Sequence, residues 1–246
     1  MRVSRLYVNV ALNAGGRIAL DDDAAHYVRT VLRLKAGDAI VLFNGEGGEY
    51  PSRFSEVSRK QVRVEIEAYS ARDVESPLRI SLGMGISRGD RMDWAVQKAV
   101  ELGVAELTPL LTERCVTKLN DDKKLQRWQH WHGIIRHAAE QSGRTCLPRL
   151  GDITDLTEWL DRPQGLKVFL DPYAEQTLAD LQPMNHQVTL LSGPEGGFSD
   201  VERQLARAAG FVPVRMGTRI LRTETAVMAA LAAVQTLWGD FGACND

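Results

Sequence analysis

The sequence predicts an α/β protein in two parts: a small, mostly β unit over residues 1–72 and a parallel-sheet domain over residues 76–246. Three observations carry that prediction. Apolar residues alternate at Leu6, Val8 and Val10, and again at Val62, Val64 and Ile66, as half-buried strands require. From Leu78 onward, strand patterns and helical stripes take turns, the signature of a parallel sheet. Between the two parts, Asp73-Val-Glu-Ser-Pro77 is a polar stretch closed by proline and forms the best boundary in the chain.

Composition narrows the class. A chain of 246 residues with 44% hydrophobic and 25% charged residues can bury a substantial core and matches an ordinary globular protein. The net charge of −2 gives no global basic signal, so any nucleic acid must bind through a local patch. Cys115, Cys146 and Cys244 are odd in number and widely spaced, offering neither a disulfide framework nor a zinc motif; no metal is expected. The start, Met1 to Arg5, lacks a signal-peptide apolar segment, and the longest uncharged run, Thr225 to Gly239, is too short to span a bilayer. A reduced, cytoplasmic protein with no membrane role is the expectation.

In the first part, Ala39 to Phe43 adds a short apolar strand, and Asn44-Gly45-Glu46-Gly47-Gly48 reads as a hairpin loop between it and a following strand. One helix interrupts, from about Asp23 to Leu34, capped by Asp21 to Asp23 with Tyr27, Val28, Val31 and Leu34 as its apolar stripe. A small barrel with one helix is the natural shape. Arg29 and Arg33 sit four apart on that helix with His26 at one end, which by itself fits a solvated face.

The second part opens with a strand carrying Leu78, Ile80, Leu82, Met84 and Ile86. A helix from Arg91 to Leu102 stops at Gly103, and a strand from Ala105 to Leu111 follows. Lys123 to Gln141 is a long helix with the stripe Leu125, Trp128, Trp131 and Ile135, where paired tryptophans fit core or subunit packing better than base stacking. A strand from Leu166 to Leu170 delivers Asp171-Pro172, and a short helical stretch follows around Leu178 to Leu181.

The chain then makes two strand–loop–helix units. The strand Val188 to Leu191 leads into Ser192-Gly193-Pro194-Glu195-Gly196-Gly197-Phe198 and a helix from Ser199 to Ala209. Ser199 with Glu202 makes a capping box, and Gly210 sits where a helix-ending glycine belongs. A strand from Phe211 to Met216 leads into Gly217-Thr218-Arg219-Ile220-Leu221-Arg222-Thr223-Glu224 and a final Ala-rich helix. This places two loops side by side at the carboxyl ends of neighbouring parallel strands, where open α/β sheets bind ligands. The glycines allow close backbone approach, although a tight structural turn needs them equally. The turn is neither a P-loop nor a dinucleotide fingerprint.

Gly193-Pro-Glu-Gly-Gly-Phe-Ser199 and Met216-Gly-Thr-Arg-Ile-Leu-Arg-Thr-Glu-Thr-Ala226 closely resemble the SPOUT methyltransferases, and within them the ribosomal RNA small subunit methyltransferase E family. The likeness extends through Ser87-Arg88-Gly89, Glu101-Leu-Gly103, Glu113-Arg-Cys115 and Glu140-Gln-Ser-Gly-Arg144. It implies a C-terminal SPOUT parallel-sheet domain with a deep trefoil knot within about residues 165–240, preceded by a PUA-like, RNA-binding β-barrel. It further implies S-adenosyl-L-methionine as cofactor and N3 of a uridine in 16S rRNA as target. The small ribosomal subunit would be the partner and a homodimer the working form. Under this resemblance, Leu170, Leu191, Ser192, Gly193, Pro194, Glu195, Gly196, Gly197, Met216, Gly217, Ile220, Leu221 and Thr223 hold the cofactor. Glu195 has two roles open to it, bonding the cofactor or bracing the loop. Arg2, Arg5, His26, Arg29, Arg33, Arg88 and Arg136 are the expected RNA contacts.

Uracil N3 is neutral at pH 7, so its proton needs a base or its developing charge needs cations. Arginine stays protonated and can do only the second job. The candidates are Glu140 and Glu224 as base, with Arg144 and Arg222 holding uracil or a phosphate. Arg136, Glu140 and Arg144 at four-residue spacing equally describe a surface salt-bridge ladder, and His137 next to Arg136 fits a structural histidine. The last helix, with Val227, Met228, Leu231, Val234 and Leu237, suits either a dimer interface or packing on the sheet. The same fold acting on tRNA or 23S rRNA, or a non-catalytic RNA-binding assembly factor, would share these features.

Overall fold

The computed structural model describes residues 3–115 and 119–242; Arg2 and Cys244 lie outside them. The chain divides into two compact units, one comprising Met1–Glu75 with Ala139–Leu147, the other Ser76–Ala138 with Pro148–Asp246.

The first unit holds five strands: β1 (Arg5–Tyr7), β2 (Arg17–Ala19), β3 (Ala39–Phe43), β4 (Tyr50–Val57) and β5 (Val62–Ile66), in the order β1-β3-β4-β5-β2. β1 runs parallel to β3; the other pairings are antiparallel. Leu6, Ile40, Leu42, Phe54, Val62, Val64 and Ile66 turn the inner faces of these strands onto one core, closed on the helical side by Ala25 and Val28. β2 was not anticipated, and β4 was expected only as the strand that the Asn44–Gly48 hairpin leads into. β4 begins Tyr50-Pro51-Ser52-Arg53, and its buried inward positions include the polar Ser52, which hides the period-two signal.

The helix of this unit corrects the sequence reading. α1 (Asp22–Tyr27) starts as expected, with Asp21 accepting from the Ala24 N–H at 2.8 Å. It then widens into a π-helical stretch, Val28–Leu32, and ends at Arg33 with φ 52°. The wider turn breaks the α-helical register, so Val31 is exposed rather than part of the stripe, and Arg33 no longer sits one α-turn beyond Arg29.

The segment 139–147 is bound into the same unit. The Tyr7 N–H donates to Glu140 Oε1 at 2.9 Å, and the Leu147 N–H donates to the Gly45 carbonyl at 3.2 Å. Arg144, its side chain 7% exposed, forms a forked ion pair with Glu75, whose Oε1 also accepts from the Cys146 N–H at 3.3 Å.

The second unit is an all-parallel, seven-stranded sheet. Its strands are β6 (Arg79–Gly85), β7 (Val104–Leu111), β8 (Arg149–Leu150), β9 (Thr154–Asp155), β10 (Leu166–Leu170), β11 (Gln187–Ser192) and β12 (Val212–Val214). The order is β12-β10-β11-β6-β7-β8, with β9 also on β7. β11 and β12 are therefore not neighbours, as the sequence reading had them: β10 lies between them, because Val168–Leu170 pairs with Val212–Val214 on one side while β11 holds the other. The carboxyl ends of three strands, not two, thus converge. β6 is buried on both faces, the mark of a central strand in a parallel sheet.

The helices are α2 (Asp90–Glu101), α3 (Asp121–Ser142), α4 (Leu156–Trp159), α5 (Asp200–Ala208) and α6 (Thr223–Trp238). α2 buries Met92, Ala95, Val96, Ala99 and Val100, and Gly103 beyond its end has φ 83°. In α3, Trp131 and Ile135 are buried but Leu125 is exposed, so its apolar stripe is used only in the later turns. α5 carries the expected capping box, in which the Ser199 N–H donates to Glu202 Oε2 at 2.8 Å. Among the described residues, no helix is long and apolar enough to cross a membrane.

Candidate functional site

The carboxyl ends of β10, β11 and β12 open into a cavity of about 530 Å³ in the second unit. Each strand supplies a loop. β11 ends in the buried Ser192, and the following residues turn back sharply, the Gly197 N–H donating to the Pro194 carbonyl at 2.8 Å with Gly197 at φ 65°. β10 delivers Leu170 and Asp171, whose N–H donates to the Val214 carbonyl at 2.9 Å and keeps this end of the sheet closed. Beyond β12, Met216, Arg219, Ile220, Leu221 and Arg222 form the third wall, and Thr223 and Ala226 of α6 complete it.

The glycine-rich loop is braced from outside. Glu195 Oε1 accepts from the Arg88 N–H at 2.9 Å and from Arg91 at 3.3 Å, so its carboxylate ties the loop to the start of α2. Arg114 donates to the Gly196 carbonyl at 3.0 Å. A Cβ added at Gly196 would meet Arg114 Cβ at 3.1 Å and thus faces this brace. Glu202 joins the capping box to the chain after β7, accepting from the Glu113 N–H at 2.8 Å.

The expected cofactor residues Leu170, Ser192, Gly193, Pro194, Glu195, Gly196, Gly197, Met216, Ile220, Leu221 and Thr223 line this one cavity. Leu191 does not: it packs in the core with Trp159, Phe169 and Phe198. Gly217 is also absent from the lining and instead takes φ 77° in the third loop. Of the proposed catalytic set, Arg222 lines the cavity and Glu224 lies two residues on, with a buried Oε2 that has no hydrogen-bond partner among the described residues. Glu140 and Arg144 belong to the first unit, held as described above.

The expected RNA contacts are scattered. Arg5 is not at an open tip: its side chain is 8% exposed, paired with Glu49, and donates to the Arg144 carbonyl at 3.1 Å. Folding β1 against β3 draws it inward over the Phe43 ring. His26 and Arg33 are exposed, and Arg29 donates to the Ser58 carbonyl at 3.1 Å. Arg88 is exposed, whereas Arg136 has a buried Nε with no hydrogen-bond partner among the described residues.

Sequence reasoning did not assign Arg91, Arg114, Tyr173 and Arg203 to the cavity they line. Arg114 lies within a segment that carried the family likeness and Arg91 stands two residues beyond another, but only the folded structure shows which cavity they reach. Asp171 pairs with Arg203 and Glu195 with Arg91, and Arg114 is held by a backbone carbonyl. Arg219 and Arg222, both exposed, leave the mouth cationic.

Comparison with known proteins relates the whole chain, both units included, to one family. Residues 74–235 match the RNA methyltransferase domain family, and residues 20–67 match the RNA methyltransferase PUA domain family. A ribosomal RNA small subunit methyltransferase E from Buchnera aphidicola subsp. Schizaphis graminum is 35% identical over 245 residues, spanning 97% of this chain and 98% of its own. A methyltransferase structure from Legionella pneumophila in complex with the bound cofactor SAM is 39% identical, with a TM-score of 0.94, covering 98% of this chain and 100% of that one. A ribosomal RNA small subunit methyltransferase E from Neisseria gonorrhoeae bound to S-adenosyl methionine is 38% identical, with a TM-score of 0.91 and the same coverage. Likeness of this extent, over the whole chain and at these identities, shows that the protein belongs to the ribosomal RNA small subunit methyltransferase E family.

Proposed function

We propose that this chain transfers the methyl group of S-adenosyl-L-methionine to N3 of a uridine in 16S rRNA, acting on the small ribosomal subunit. The observation that carries the reading is the convergence of three loops on one cavity that offers backbone and apolar surface below and arginines above. The cavity fits the donor. Its volume of about 530 Å³ lies within the range of small-molecule sites. Leu170, Met216, Leu221 and Ala226 supply an apolar slot for a planar base, while the Ser192–Gly197 loop offers peptide groups to its polar edges.

When bound, the donor supplies an electrophilic methyl carbon on a sulfonium sulfur. The chain's own residues place the acceptor and exclude water, which makes a bimolecular step local. Arg219 and Arg222 at the mouth stabilise negative charge developing on the uracil oxygens as N3 loses its proton. Glu224 is our assignment for the base, because its Oε2 has no hydrogen-bond partner among the described residues and Thr223 beside it lines the cavity.

Residues 1–72 are proposed as the RNA-binding, PUA-like domain and 76–246 as the methyltransferase domain, knotted within about residues 165–240. His26, Arg29 and Arg33 around the end of the first helix support the former role. A cytoplasmic homodimer is proposed as the working form, with the exposed Leu237 of α6 available to an interface.

Purified protein, S-adenosylmethionine and small subunits from a strain lacking the modification should yield 3-methyluridine on nucleoside analysis. Methyl transfer to ribose or guanine would reject the N3 assignment, and transfer only to tRNA or 23S rRNA would move the substrate. Failure to bind the donor in calorimetry would leave an RNA-binding assembly factor.

A further inference from the structure

Tyr173 is an aromatic residue at the rim of the cavity, and it is 76% exposed. It is held there by a charged pair. Asp171, only 4% exposed, accepts from the Tyr173 N–H at 3.0 Å through Oδ1 and pairs with Arg203 through Oδ2. Arg203 in turn lies over the Tyr173 ring, its Cζ 5.7 Å from the centroid. Pro172 limits the backbone between the two, and the Ala174 N–H closes the turn on the Asp171 carbonyl at 3.1 Å. A buried carboxylate at the end of β10 is thus engaged with Arg203 and the backbone N–H of the rim tyrosine, while the arginine covers part of the ring.

Arg219 and Arg222 line the same cavity as this ring, and Ile220 between them in the chain is 77% exposed. A positioned aromatic ring in a cavity that arginines also line suits single-stranded RNA, whose phosphates seek arginine and whose unstacked bases seek a flat apolar face. The target base itself must enter the cavity to meet the methyl group. We infer that Tyr173 is a stacking platform for the base next to the target nucleotide, held in place by Asp171 and Arg203. This rests on the proposed RNA methylation and adds a positioning residue to it.

The test uses the full chain and a short single-stranded RNA carrying 2-aminopurine beside a uridine. Wild type and Tyr173→Phe should quench the 2-aminopurine fluorescence, and Tyr173→Ala should not. In methylation of small subunits, Tyr173→Ala should raise KM for the subunit about tenfold, as expected for the loss of one base–aromatic stack. kcat and donor affinity should be unchanged, and Tyr173→Phe should restore KM. Absence of quenching by wild type, equal quenching by Tyr173→Ala, or an unchanged KM would overturn the platform. Weakened donor binding in Tyr173→Ala would assign the ring to the donor and overturn it too. A wild type that quenches but makes no 3-methyluridine would defeat the proposed reaction and leave the platform standing.

Discussion

Gln235, buried in the last helix, donates from Nε2 to the carbonyl of Leu102 at 2.9 Å, at the C-terminal end of α2. Its Oε1 accepts from the Ser76 hydroxyl at 2.8 Å, so one side chain ties the chain just before β6, the end of α2 and the last turn of α6. A helix ends with carbonyls that lack intrahelical partners, and here a distant glutamine satisfies one of them. Gln235→Leu keeps the volume but removes both of these hydrogen bonds, whose partners Ser76 and Leu102 are half-buried. It should lower unfolding stability by about 2 kcal/mol, read as a shifted denaturant midpoint with the slope unchanged.

Glu75 and Arg144 make a similar tie within the first unit, but with charge. The guanidinium donates through Nε to both carboxylate oxygens, at 3.2 and 3.1 Å, with the Arg144 side chain 7% exposed. Removing one partner leaves the other ionised and poorly hydrated, so Arg144→Met should cost about 3 kcal/mol. Arg144→Lys should fall between, because an ammonium keeps the charge and loses the fork. Paired thermal unfolding and methylation assays distinguish roles. A structural Arg144 predicts that residual folded protein keeps wild-type kcat, whereas a full loss of kcat without loss of stability would place Arg144 on the substrate.

What was legible in the sequence was whatever is local. The capping box of Ser199 and Glu202 is legible from four consecutive residues, and it forms with its expected bonds. The run Leu78 to Ile86 announces a strand because its apolar residues alternate, and all five are buried. By contrast, the π-helical turn at Val28–Leu32 cannot be told from an α-turn by apolar spacing, so the exposure of Val31 was missed. The position of β10 between β11 and β12 depends on crossovers that no short pattern records. The same holds for the cavity. Its glycine-rich loop is legible because a tight turn demands glycine, as Gly197 at φ 65° shows. Arg91, Arg114 and Arg203 reach it from elements far apart in the chain and carry no shared spacing.

His132 gives a pH dependence. Its ring stacks on Trp128 with centroids 4.9 Å apart, and burial, then the charge of Arg136, lowers its pKa below the ordinary value. The unfolded chain, with histidine near the usual value of about 6.5, binds a proton that the folded chain resists. Stability is therefore full above about pH 6.5 and falls as pH drops from there toward the folded-state pKa. Denaturation midpoints measured between about pH 7.5 and about pH 5.5 should fall more steeply for wild type than for His132→Phe. Parallel slopes would remove His132 from the acid response.

Gly85 tests whether the loop after β11 is the cradle for the methyl donor. It ends β6 in an ordinary backbone conformation, so its substitution acts only through space. A Cβ there would stand 2.5 Å from Pro194 Cδ and 2.6 Å from Pro194 N, against a ring and backbone that cannot swing aside. Gly85→Ala must therefore displace the Gly193–Gly197 loop, with a stability cost of about 1–3 kcal/mol typical of overpacking. Gly197→Ala is the contrast. It has φ 65° but nothing within 4 Å of a new Cβ, so it strains the turn without pushing it. Calorimetry with S-adenosylmethionine should show Gly85→Ala losing at least tenfold in affinity, about 1.4 kcal/mol, and Gly197→Ala losing less. Wild-type affinity in a folded Gly85→Ala would mean that the donor is held somewhere other than this loop.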